Sequence, residues 1–243
     1  MRYRKYRLLE FLCVIFLIIT GIMTIVLALH RGKADIGSTT AIEHPADDAA
    51  SGESLSDEAD TDWELILVNR EHPIPSGYDV GELTTLSNGK QVSSKIYPYL
   101  QKMFDDARAD GLQLFVASGY RTKEYQQELF DGKIQEYINE GSTKRQAEKQ
   151  AEEWVAKPGT SEHQLGIAVD INADTSVCSS DAVYNWLDQN SWKYGFIHRY
   201  PSDKTDITGV TNEPWHYRYV GEKAASEIHS RGICLEEYLE SGS

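Results

Sequence analysis

The chain has 243 residues and a formal net charge of −14, from 38 acidic and 24 basic side chains. That length suits one domain of ordinary size plus a further segment. The acidic balance argues against nucleic acid as a partner, because phosphate binding needs clustered Lys and Arg.

Residues 1–7 are basic, with Arg2, Arg4, Lys5 and Arg7. Phe11 to Leu29 is an apolar run broken only by Thr20, Gly21 and Thr24. About 20 such residues span a bilayer core, whereas a signal-peptide core is about 7–15 residues long. No small-x-small cleavage site follows directly, since His30, Arg31 and Lys33 stand there. Residues 8–30 are therefore expected to form a single transmembrane anchor, with residues 1–7 as a cytoplasmic tail. The rest of the chain would lie on the outer side of the cell membrane. Residues 31–61 scatter Asp35, Glu43, Asp47, Asp48, Glu53, Asp57, Glu58 and Asp60 among small polar residues. Nothing there builds a core, so a disordered acidic tether is expected. The folded domain is expected over 62–243.

Within it, Leu65 to Val68 suits a strand, Asn69 to Asp79 a loop, and Leu83 to Thr85 a short strand before an Asn88-Gly89 turn. Ile96, Leu100, Met103, Phe104 and Ala107 recur at helical spacing, so Ser94 to Ala109 reads as a helix. Leu112 to Ala117 follows as a strand that delivers Ser118-Gly119-Tyr120-Arg121 at its end. Helices are expected over Thr122 to Asn139, where Gly132 marks a weak point, and over Thr143 to Val155. A loop then carries Ser161 to Gln164. Ile167 to Ile171 alternates, with Ile167, Val169 and Ile171 on one face and Ala168 and Asp170 on the other. A helix over Asp181 to Asn190, a loop over Tyr200 to Asn212, a strand or extended segment over Glu213 to Val220 and a final helix over Glu222 to Arg231 complete the α+β pattern. Of three cysteines, Cys13 lies in the apolar run, which leaves Cys178 and Cys234 as a candidate disulfide outside the cell.

The chemistry concentrates in two blocks. Ser161 to Asp170 supplies His163 and Asp170, and Glu213-Pro214-Trp215-His216 supplies His216. Two imidazoles and a carboxylate are a protein ligand set for a catalytic zinc with one position left for water. Glu213, three residues before the last ligand, is a carboxylate placed to take a proton from that water. Ser161 is the favoured partner to orient His163, with Glu162 the other choice. Arg121 offers a guanidinium fork matched to a carboxylate. His198 lacks a motif and is expected to support the loop, not to bind metal.

Both blocks, together with Ser118-Gly119-Tyr120-Arg121, resemble the zinc D-alanyl-D-alanine carboxypeptidases of the VanY type, whose family includes LD-carboxypeptidases. Those enzymes show Ser-x-His-x-x-Gly-x-Ala-x-Asp and then Glu-x-Trp-His. The resemblance runs from about Asp62 to the C-terminus. It implies a small antiparallel sheet flanked by helices, of the hedgehog/DD-peptidase-like zinc peptidase fold. It implies Zn2+ on His163, Asp170 and His216, with Glu213 and Arg121 catalytic. Arg121, Ser118, Tyr120, Gln126, Ser161 and Trp215 are the expected substrate contacts. The implied partner is the peptidoglycan stem peptide, losing a terminal D-alanine. Removal from the pentapeptide is the favoured activity, with L,D cleavage of the tetrapeptide or wall-lytic endopeptidase action as alternatives. A link to antibiotic resistance and a monomeric state are also expected.

Overall fold

A computed structural model describes residues 63–242. The candidate anchor, the tether and the tail before them lie outside these residues. Among the described residues, no helix is long and apolar enough to cross a membrane.

The architecture is α+β. Strands β1 (Leu83–Thr85) and β2 (Gln91–Ser93) form an antiparallel hairpin around the Asn88-Gly89 turn. A second sheet holds β3 (Leu114–Ser118), β4 (Ala168–Ala173), β5 (Phe196–His198) and β6 (His216–Tyr219), in the order β3-β4-β6-β5 and antiparallel throughout.

The alternation read in the sequence holds. Val169 and Ile171 of β4, with Tyr217 and Tyr219 of β6, point into the main core. There they meet Leu100, Met103 and Ala107 of α1 (Tyr97–Ala109). Val183 and Leu187 of α4 (Ser180–Asn190) join the same core. Fully burying side chains of this size stabilises by about 1.5–3 kcal/mol each. The opposite face of the same strands carries Asp170 and His216, so the apolar core fixes the position of the polar face.

Helix α2 (Lys123–Asn139) runs through Gly132 without a break and packs beside α3 (Lys144–Ala151). Thr122 caps α2 by accepting from Tyr125 N at 3.1 Å. A short α5 (Thr205–Thr208) lies in the long loop before the second block. Helices α6 (Glu222–Arg231) and α7 (Leu235–Glu240) enclose a smaller core of Ile197, Val220, Ala225, Ile228, Leu235 and Tyr238.

Three expectations need correction. Leu65 to Val68 is no strand: a 3-10 turn, Trp63–Leu65, leads into unpaired extended chain. The carbonyls of Glu64 and Ile66 accept from the Arg218 side chain, at 2.9 Å each, where a strand would have used a neighbour's N–H groups. Cys178 and Cys234 are free thiols. The C-terminal tail is held instead by α7, which the sequence reading missed because its six residues are too short to show a period. Helix α1 also starts later than expected, at Tyr97, with Pro98 in its first turn. The first-turn N–H groups have no partner within the helix, so proline costs little there.

Candidate metal centre

Sheet register builds the centre. Asp170 of β4 lies directly across from His216 of β6 and from Ser118 at the end of β3. A bulge between Val116 and Ser118 brings Ser118 into that register. His163 arrives from outside the sheet, on a 3-10 turn over Glu162–Leu165. Gly166 ends that turn at φ +73°, a conformation costly for other residues. A Cβ there would also meet the Val80 side chain at 2.7 Å.

The three side chains converge. Asp170 Oδ1 lies 3.3 Å from His163 Nε2 and 3.2 Å from His216 Nδ1. The donor atoms all fall within 4.8 Å of one another, and both histidines are buried. His163 Nδ1 faces the carbonyl of Gly119 at 2.9 Å. A carbonyl can only accept, so that nitrogen carries the proton and Nε2 keeps its lone pair for a cation. The partner of His163 is thus neither Ser161 nor Glu162. Glu162 reaches the other histidine: its Oε2 lies 3.2 Å from His216 Nε2.

Burial sets the electrostatics, and neighbours modify it. Burial pushes the Asp170 carboxyl up, but the adjacent His163 and His216 outweigh it and hold the group well below the ordinary range. Burial likewise raises Glu162, and Arg199 and Arg218 more than reverse that. His216 is opposed by burial but sits between two carboxylates, and its pKa rises to about 9. Burial lowers His163, with Asp170 opposing.

Glu213 comes into place through a turn. His216 N donates to Glu213 O at 3.0 Å, with Pro214 inside the loop. The turn sets Glu213 Oε2 3.7 Å from His216 Nδ1, with the Glu213 side chain 20% exposed. Burial raises the Glu213 pKa, and the His216 charge opposes the shift. His198 Nε2 lies 3.2 Å from the Glu213 carbonyl and supports this turn.

Arg121 is held on three sides. Its Nε donates to Ser118 Oγ at 2.9 Å, Nη1 to Gln126 Oε1 at 3.3 Å and Nη2 to Asp170 Oδ2 at 3.1 Å. A guanidinium has five N–H donors, so two remain for a ligand. Buried Gln126 is fixed in turn by the Ala156 carbonyl at 2.7 Å. Ser118 and Gln126 therefore aim Arg121. A cavity of about 580 Å³ opens over the centre, bordered by Arg121, Gln126, Ser161, Glu213, Trp215 and the metal-site side chains. It continues outward past Leu129 to Trp154. Ser118 and Tyr120 do not border it; Tyr120 is tied through its backbone N to Gln91 O at 2.6 Å.

The sequence reading missed Arg199, Arg218 and Glu236, all buried near the centre. One signal was available. Arg218 shares with His216 the face of β6 that carries the site, opposite Tyr217 and Tyr219, and a charged residue on a covered strand face needs a partner. Small Ala168 lies directly across from Arg218.

Two imidazoles and a carboxylate around a shared point, with a free carboxylate beside them, define a metal-dependent hydrolase. Residues 89–222 match the family VanY: D-alanyl-D-alanine carboxypeptidase. The D-alanyl-D-alanine carboxypeptidase of Enterococcus faecalis (strain ATCC 700802 / V583) is 58% identical over 213 residues, covering 87% of this chain and 77% of that protein. VanYB in complex with D-alanine-D-alanine is 61% identical with a TM-score of 0.72, covering 74% of this chain and 99% of that one. A variant of the vancomycin resistance D,D-pentapeptidase VanY from the VanB-type resistance cassette, in complex with Zn(II), is 63% identical with a TM-score of 0.70, over 73% and 99% of the two chains. The LdcB LD-carboxypeptidase is 34% identical with a TM-score of 0.63, over 74% and 88%. The chain belongs to the VanY family of D-alanyl-D-alanine carboxypeptidases.

Proposed function

We propose that the chain is a zinc-dependent D,D-carboxypeptidase that removes the terminal D-alanine from peptidoglycan stem pentapeptides. The observation that carries this is the convergence of His163 Nε2, Asp170 Oδ1 and His216 Nδ1, with Glu213 3.7 Å from His216. Nitrogen and carboxylate donors in this number suit zinc. Zinc held there makes a water acidic near neutral pH and polarises the scissile carbonyl.

The chain's own residues supply the rest. Glu213, its pKa raised by burial, accepts the proton of the attacking water and returns it to the leaving amine. Arg121 directs its two remaining N–H donors at the terminal carboxylate and the charge developing beside it. Ser118 and Gln126 keep the guanidinium aimed, while Ser161 and Trp215 wall the cavity. No serine nucleophile is required. Greater identity to the D,D-pentapeptidase than to the LD-carboxypeptidase supports the D,D reading, and the family's place in vancomycin resistance fits that substrate.

The apolar run from Phe11 to Leu29, after a basic flank, supports a single-pass anchor with the N-terminus in the cytoplasm and the domain outside. Protease added to intact protoplasts then removes the domain; protection of peptides containing Trp215 would reverse this topology.

Three synthetic stems test the activity, with products read by mass spectrometry: a pentapeptide ending in D-alanyl-D-alanine, its C-terminal amide, and the tetrapeptide. D-alanine is expected from the free pentapeptide. The amide should react about 10²-fold more slowly, as loss of a charge-assisted contact of about 3 kcal/mol implies. Preference for the tetrapeptide would establish L,D activity instead. Equal turnover of free and amidated pentapeptide would remove carboxylate reading from Arg121.

A further inference from the structure

Behind the centre lies a buried cluster of charge that the reaction does not use. Glu162 has no exposed side-chain surface. Its Oε1 accepts from Arg199 Nε at 2.8 Å and from Arg218 Nη1 at 2.9 Å. Arg199 then grips Glu236 of α7 with two bonds, Nη1 to Oε2 at 2.8 Å and Nη2 to Oε1 at 2.6 Å. Arg218 spends its other donors on backbone carbonyls, those of Glu64, Ile66 and Tyr219. Both guanidinium groups are 0% exposed.

Stability alone is a weak reason to retain such a cluster. Well-packed apolar residues of similar volume often replace buried ion pairs with no loss, or with a gain. The geometry suggests what it does instead. The one Glu162 oxygen left over by the arginines, Oε2, faces His216 Nε2. That nitrogen lies opposite Nδ1, which faces Asp170.

We propose that Glu162 is a positioning residue for His216, and that α7 holds Glu162 in place through Glu236 and Arg199. The role rests on reading His163, Asp170 and His216 as the metal site. A neutral imidazole has one N–H, and its tautomer is set by what the other atoms accept or donate. A carboxylate flanked by two guanidinium groups enters the contact only as an acceptor. It therefore fixes the remaining proton on Nε2 and leaves the Nδ1 lone pair toward the cation. It also fixes the ring's rotation, because Oε2 is itself immobilised through Oε1. A hydroxyl or a water at this point could accept or donate, and would permit the wrong tautomer. Glu236, Glu64 and Ile66 all lie outside the stretch matched to the family, residues 89–222. The ends of the domain thus reach the centre through two arginines.

The test uses the purified full-length chain with zinc affinity as the main readout, measured by competition with a chelator from pH 6 to 8. Melting of the zinc-free protein is recorded beside it. Glu162→Gln keeps the shape but weakens the acceptor, and zinc affinity is expected to fall about 10–100-fold. Glu236→Gln acts from two residues further away, through Arg199, and a smaller fall in the same direction is expected. Ile228→Ala is the control. It opens the apolar cluster on which α7 packs and removes no charge, so it should lower the melting temperature with zinc affinity unchanged. If Glu162→Gln does not fold, Glu236→Gln carries the comparison. Wild-type zinc affinity in whichever of these variants folds would overturn the positioning role. An Ile228→Ala protein that loses zinc as readily as Glu236→Gln would overturn it too, since general loosening would then suffice. His216→Ala separates the two readings. If it binds zinc as tightly as the wild type, the metal-site reading fails; if it loses zinc while Glu162→Gln does not, only the positioning role fails.

Discussion

Glu213 owes its position to three residues of backbone. The turn closed by His216 N on Glu213 O brings a carboxylate and an imidazole to the same side, which simple strand alternation over this stretch would not do. The spacing Glu-x-x-His was legible in the sequence, but the turn was not, because Pro214 is compatible with an extended chain as well. His216 holds together with Asp170 and Glu162, and Glu213 stands 3.7 Å away as a neighbour. Replacing Glu213 with Gln should therefore leave zinc content near one equivalent while turnover falls by about 10²–10⁴-fold, the usual effect of losing a general base. Elemental analysis and steady-state rates on one preparation decide this; normal turnover would remove Glu213 from the chemistry. Glu162 taught the opposite lesson. A glutamate beside a histidine reads as solvent-compatible until its two arginine partners, 37 and 56 positions away, are known.

At the level of elements, the strands and helices that carry an apolar period were legible, and the pieces held by polar contacts were not. Helix α2 came through to within a residue and strand β4 to within two, since β4 continues through Asn172 and Ala173. The 3-10 turn at Trp63–Leu65 and helix α7 did not, since carbonyl-to-arginine bonds and a six-residue helix leave no period to read. The loop after β3 shows how tightly two elements can be joined. Gly119 lies so close to β2 that an added Cβ would come 2.2 Å from Gln91 O, and the same glycine offers its carbonyl to His163. Gly119→Ala must push the loop off β2, and overpacking of this kind costs about 1–3 kcal/mol. It should lower the melting temperature and weaken zinc binding together, because the His163 partner and the root of Arg121 move with the loop. A Gly119→Ala protein that melts and binds zinc like the wild type would show that the loop yields freely.

Across the whole molecule, Glu236 joins residues far apart in the chain. It accepts from Arg199 twice and, at 3.4 Å, from Asn69 Nδ2 near the start of the described residues. Burial raises its pKa, but the Arg199 bonds and charge outweigh that and hold it below its ordinary value of 4.5. A carboxyl depressed on folding stabilises above its unfolded pKa, and that contribution is lost as pH falls through the folded one. Glu236→Gln should therefore cost about 3 kcal/mol at neutral pH, as expected for breaking a buried pair. The gap from the wild type should close as the pH drops below about 4.5. Denaturant melts of both proteins from pH 7 to 3 measure it, and a gap independent of pH would mean that the charge of Glu236 contributes nothing. Long-range ties of this kind are the part of the fold that one sequence reveals least, since each partner alone looks like an ordinary surface charge.

The two free thiols bear on how the domain is made. Cys234 opens α7 and is buried, and burial pushes its thiol up to about 11, so at neutral pH it is almost wholly the unreactive protonated form. Cys178 sits elsewhere, its sulfur accepting from Gln113 N at 3.3 Å. With no covalent bond between them, the C-terminal helix docks through packing and charge alone. The described domain should therefore fold equally well in a reducing cytosol. Its melting temperature should be the same with and without dithiothreitol; a fall on reduction would reveal a cystine.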